Sequence, residues 1–74
     1  MEIKDMQAFY AVVQKRNISH AALRLDVAQP ALSRQMKRLE EGLGAQLFER
    51  GSRRIRLTEA GSRLYASLDR KSVV

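Results

Sequence analysis

Gln29, Ser33, Arg34 and Lys37 follow one another at helical spacing in a stretch with little else that could bond to a polar ligand. On a helix advancing about 100° per residue, Pro30, Arg34, Lys37, Arg38 and Glu41 fall on one side. Leu32, Met36, Leu39 and Leu43 fall opposite them, within a stripe of roughly 60° that suits a core. Ser33 lies on the shoulder of the polar side. Gln29 is nearer the apolar side in angle, but it stands at the tip of the helix and can reach forward. These types suit the edges of base pairs: Gln pairs bidentately with adenine, and Arg pairs with the two acceptors of guanine. A Ser hydroxyl serves a base or a phosphate, and the Pro30 ring offers an apolar edge to a thymine methyl. Glu40 and Glu41 sit at the far end, where phosphate would repel them if they entered a groove. The amino-terminal half is therefore the end that goes in.

Charge supports the same chemistry. Fourteen Lys+Arg stand against eight Asp+Glu, a formal net charge of +6. Between residues 28 and 56 the bases are Arg34, Lys37, Arg38, Arg50, Arg53, Arg54 and Arg56, against Glu40, Glu41 and Glu49. A local excess of this kind is the electrostatic footprint of nucleic-acid binding, although a solvated basic face would look the same from charge alone. Residues 50–56 carry four arginines and no acid. Arg53, beside the tip of a short hairpin, suits a narrow minor groove, where the potential is most negative. Arg50, Arg54 and Arg56 suit phosphates or solvent.

The elements that must position these groups follow from periodicity. Ile3, Met6, Phe9, Tyr10 and Val13 recur at helical spacing and predict a helix from Ile3 to Lys15, ended by the basic pair Lys15-Arg16 and by Asn17, which tolerates the left-handed conformation. Ser19 reads as the N-cap of a short helix from His20 to Leu25, rich in small and apolar residues, with Asp26 in the turn after it. A third helix begins near residues 28–30, with Pro30 in its first turn, and runs to Leu43 before Gly44. At about 1.5 Å per residue it spans roughly 24 Å, enough to lie in a groove and still pack on a core. Ile55 and Leu57 alternate with Arg54 and Arg56 at period two, and pair with Leu47-Phe48 into a hairpin with Gly51-Ser52 at its tip. Thr58 caps a fourth helix with Leu64, Tyr65 and Leu68 on one side, expected to fray over residues 70–74.

Other functions find less support. Seventy-four residues make one domain with a modest core. One histidine, no cysteine and no clustered carboxylates leave no catalytic residues, no metal ligands and no cofactor site, so no enzyme is expected; His20 reads as a surface or phosphate-facing residue. The amino terminus is neither a signal peptide nor a membrane span, which makes a soluble cytoplasmic protein the expectation. RNA binding would want an aromatic platform, and Phe9, Tyr10 and Phe48 read as core. Protein interaction is the stronger rival, because Leu64, Tyr65 and Leu68 could either cover this domain's core or pair with a second chain.

The run IKDMQAFYAVVQKRNISHAALRLDVAQPALSRQMKRLEEGLGAQLFERGSRRIRLTEAG resembles the amino-terminal domain of LysR-type transcriptional regulators, with AQPALSRQMKRLEEGLGAQLFER its most specific part. The resemblance implies a mainly α, winged helix-turn-helix fold: a three-helix core, a short β-hairpin wing and a carboxy-terminal linker helix. It implies a DNA-binding domain over residues 1–58, with the helix-turn-helix at 18–37 and the wing at 47–57, and the start of a dimerisation helix over 59–74. It further implies bacterial promoter DNA as partner and assembly as dimers or tetramers. Residues matching Gln29, Pro30, Ser33 and Arg34 would face the major groove, and the one matching Arg53 the minor groove. Many relatives have a capping Ser where this chain has Ala28, a loss of about 1 kcal/mol, although the Ala28 N–H can still meet a phosphate. Gly42 replaces a helix former and should soften the last turn by roughly 0.5–1 kcal/mol. Relatives continue through a longer dimerising helix into an effector-binding domain, so this chain should carry no small-molecule effector site and should pair more weakly through Leu64, Tyr65 and Leu68.

Overall fold

The structure, a computed structural model, describes residues 2–49, 51 and 55–73, with side chains as far as Asp69. Four helices follow in order: α1 (Ile3–Lys15), α2 (Ile18–Leu25), α3 (Gln29–Leu43) and α4 (Glu59–Val73). Helix α1 lies at the centre and packs against each of the other three.

The helix boundaries have identifiable causes. At the start of α1 the Glu2 N–H donates to Asp5 Oδ2 (3.2 Å). At its end Arg16, not Asn17, takes the left-handed conformation (φ 53°). Asn17 is extended, and its Oδ1 accepts the His20 N–H (3.1 Å), so it is the cap of α2. That moves the start of α2 forward to Ile18 and corrects the assignment of the cap to Ser19, which is already helical. A cap must be extended to turn its side chain back onto the first free N–H groups, and Asn17 alone satisfies that here. Asp26 closes α2 with φ 58°, as its position in the turn suggests. Helix α3 starts after Ala28 without any side-chain cap, carries Pro30 in its first turn and ends at Gly44 (φ 68°). Helix α4 is assigned from Glu59 to Val73, and residues 70–73 contain no glycine or proline.

Between α3 and α4, Phe48 and Leu57 form an antiparallel bridge. The Glu49 N–H donates to the Arg56 carbonyl (2.8 Å) and the Thr58 N–H to the Leu47 carbonyl (3.0 Å), which closes the base of the wing. Ile55 and Leu57 are half-buried against the core while Arg56 is exposed, in keeping with the period-two pattern. Gly51 has φ 80°. Arg50, Arg53 and Arg54 lie outside the described residues.

The core comprises Phe9, Val12, Leu32 and Leu47, fully enclosed, together with Ala8, Ala11, Ala21, Ala22, Met36 and Leu39. Burying each large side chain contributes about 1.5–3 kcal/mol. Phe9 meets Phe48 with ring centroids 5.5 Å apart. The stripe expected on α1 is partly corrected: Ile3 is 76% exposed, and Ala8, Ala11 and Val12 take its place beside Phe9. A helix with neighbours on three sides buries a broad face, and alanines let those neighbours approach. Leu43 is also corrected. It is 39% exposed, because the last turn of α3 projects past the core.

Candidate nucleic-acid interface

The two faces of α3 separate as the wheel suggests. Leu32, Met36 and Leu39 are buried, while Gln29, Pro30, Ser33, Arg34, Lys37 and Arg38 are exposed. Among the described residues Arg34 and Lys37 enter no ion pair; the one salt bridge, Arg63 to Glu59, is on α4. Their charge is therefore available to an external anion. Gln29 occupies the first turn, and its Oε1 accepts a hydrogen bond from Ser19 Oγ of α2 (2.7 Å). His20 is exposed beside this pair. The uncapped first turn leaves free backbone N–H groups at the same end of the helix.

Glu40 is not simply an acid at the trailing end. Its Oε2 accepts the N–H groups of Leu47 (2.6 Å) and Phe48 (3.2 Å), which fastens the first limb of the wing to α3. Nothing in the sequence pattern singled out this role. Its only signal was an acid one turn before the helix end with two wing residues shortly after. Glu41 stays exposed.

The second limb is fixed from α4. Thr58 Oγ1 donates to the Gln46 carbonyl and accepts the Gly61 N–H (3.1 Å). Gly61 is buried so closely that a Cβ there would overlap the Leu47 carbonyl oxygen. The sequence reading missed this contact, for which the only sign was a glycine inside an otherwise helical run.

Two further contacts hold α1 in place. Gln35 Nε2 donates to Asp5 Oδ1 (2.9 Å), and this bond is the main cause that holds the Asp5 carboxyl below its usual range. Tyr10 stacks on Tyr65 with centroids 5.2 Å apart, and its hydroxyl donates to Asp69 Oδ1 (3.2 Å) while accepting from Gln14 Nε2 (3.1 Å). Desolvation, reinforced by Asp69, pushes the Tyr10 phenol upward. Leu64, Tyr65 and Leu68 are half-buried against the domain's own core, so part of each already serves the fold. Among the described residues no group of three or more His, Asp or Glu side chains could hold a metal ion, and no helix is long and apolar enough to cross a membrane.

Three packed helices, the third with one exposed basic face, and an adjoining wing define a winged helix-turn-helix domain. Residues 3–62 match the family described as "Bacterial regulatory helix-turn-helix protein, lysR family", and the chain belongs to that family. It is 48% identical over 65 residues to the HTH-type transcriptional regulator BenM of Acinetobacter baylyi, covering 88% of this chain and 21% of BenM. It is 46% identical to the regulator BudR of Klebsiella aerogenes, covering 88% of this chain and 46% of BudR. Among solved structures, the BenM DNA-binding domain in complex with catB site 1 DNA superposes with a TM-score of 0.91 at 42% identity, covering 99% of this chain and 81% of that one. Full-length BenM superposes with a TM-score of 0.90, covering 99% of this chain and 24% of that one. The chain thus spans between about a fifth and a half of these regulators.

Proposed function

We propose that this chain binds double-stranded promoter DNA with sequence preference, as the DNA-reading part of a bacterial transcriptional regulator. The observation that carries this reading is the exposed, unpaired basic face of α3 at Arg34 and Lys37, backed by a buried apolar face that holds it rigid. Gln29, Pro30, Ser33, Arg34 and Lys37 contact bases in the major groove. The Ala28 N–H, Arg50 and Arg54 meet phosphates, and Arg53 of the wing enters the adjacent minor groove. The similarity to a domain solved on DNA supports this placement. Residues 1–58 do the reading, and residues 59–74 begin a helix through which two copies pair by way of Leu64, Tyr65 and Leu68. The relatives are transcriptional regulators, a class that is not enzymatic, and the reading places the protein in the cytoplasm with its DNA.

Titration of duplex DNA against salt tests this directly. Affinity should fall with log salt at a slope of about −0.9 per phosphate neutralised. Salt-independent binding, or none at any protein concentration, contradicts the proposal. Pairing is tested by sedimentation: wild type should self-associate with concentration and Leu68→Glu should not, whereas equal behaviour of the two contradicts pairing through α4.

A further inference from the structure

We infer that Ser19 is a positioning residue for base reading: it holds the Gln29 amide so that the nitrogen faces the duplex, selecting a base-edge acceptor, thymine O4, guanine O6 or a purine N7, rather than a base-edge donor. The inference rests on the proposed placement of the leading edge of α3 in the major groove, and it goes beyond that placement by assigning the base chemistry and the residue that sets it.

Asn17, not Ser19, satisfies the first turn of α2. The Ser19 hydroxyl is thereby released from the task its residue type suggests, and it donates instead across the turn to Gln29 Oε1 (2.7 Å). Both residues are exposed, and the bond joins the first turns of the two helices of the helix-turn-helix. A glutamine amide carries one oxygen with two lone pairs and one nitrogen with two N–H groups. With one lone pair committed to Ser19, the balance shifts toward donation, and Nε2 has no partner among the described residues. Bidentate pairing with adenine needs the same amide to accept from N6 and donate to N7, which would commit the second lone pair of the oxygen while the first holds Ser19. Donation to thymine O4 or to guanine O6 and N7 makes no such demand. The fixed amide also reaches the groove with its orientation already chosen, which sharpens discrimination at one base pair and leaves the remaining contacts alone.

The opposite amide orientation, with Nε2 donating to Ser19 Oγ, would present Oε1 and select adenine N6 or cytosine N4. Selection from a randomised duplex pool with the whole chain and with Gln29→Ala locates the pair that Gln29 reads. At that pair, removing the exocyclic amino group (purine for adenine, pyrimidin-2-one for cytosine) should leave Kd within about twofold, since no donor is being read. Ser19→Ala should lower discrimination there by about fivefold or more, with other pairs and the salt slope unchanged, and Ser19→Thr should retain it. A roughly tenfold loss on removing the amino group overturns the assignment of the nitrogen. Wild-type discrimination in Ser19→Ala overturns the role of Ser19. If Gln29→Ala keeps every preference, Gln29 reads no base and the inference fails while Arg34 keeps its role. A wild-type chain that prefers no sequence contradicts the proposed function itself.

Discussion

Glu40 and Asp5 show how single acids in a basic chain are put to use. Glu40 accepts from two consecutive backbone N–H groups at the start of the wing, so Glu40→Ala leaves Leu47 and Phe48 without their acceptor. Stranding a buried donor costs about 1–3 kcal/mol, and in a domain of this size each kcal/mol lowers Tm by about 4–8 °C. Glu40→Gln, whose amide oxygen still accepts, should lose less; equal Tm for Glu40→Ala and wild type contradicts the tether. Asp5 has a folded-state pKa below its ordinary 3.8, chiefly because Gln35 donates to it. A depressed pKa adds stability above the unfolded value, and that stability is lost as pH falls through the folded value. The Tm advantage of wild type over Asp5→Asn should therefore be full above roughly pH 5 and shrink as pH falls below 3.8. A constant difference across that range rejects the assignment. On α3, residue types and a helical wheel were enough to bring Pro30, Ser33, Arg34 and Lys37 onto one exposed face. The Ser19–Gln29 bond was not legible, because it depends on which of Asn17 and Ser19 becomes the cap.

Helix α3 was legible almost to the residue because its stop signal and its apolar stripe agree: Gly44 ends it, and Leu32, Met36 and Leu39 are buried. Helix α1 was less legible on its faces, since a central helix with three neighbours buries small residues that carry weak hydrophobic signals. The two helical glycines separate cleanly by environment. A Cβ at Gly42 would meet nothing within 4 Å, so Gly42→Ala should stabilise by roughly 0.5–1 kcal/mol through helix propensity. A Cβ at Gly61 would overlap the Leu47 carbonyl, so Gly61→Ala must push α4 off the wing and should destabilise by about 1–3 kcal/mol or more. Thermal unfolding of the pair checks both signs, and a destabilised Gly42→Ala or an unaffected Gly61→Ala contradicts the packing described. Helix α4 is thus anchored at its root by Thr58 and Gly61 and braced at its flank by Tyr10, Tyr65 and Asp69. Its direction is fixed relative to the wing base and α1.

At the scale of the whole molecule these parts form one mechanical unit. The core holds α3 by its buried face, Glu40 joins α3 to the wing, and Gly61 joins the wing to α4. Helix α3, the base of the wing and helix α4 are therefore positioned by a single small core. The central claim is that the leading edge of α3 reads sequence while the general positive charge supplies non-specific attraction. The most direct measurement compares Kd for a selected duplex and a scrambled duplex, at fixed salt, for wild type and Arg34→Ala. Arg34→Ala should lose about 1–3 kcal/mol of the preference between the two duplexes while its affinity for scrambled DNA changes far less. An equal weakening on both duplexes, with the preference intact, would contradict it.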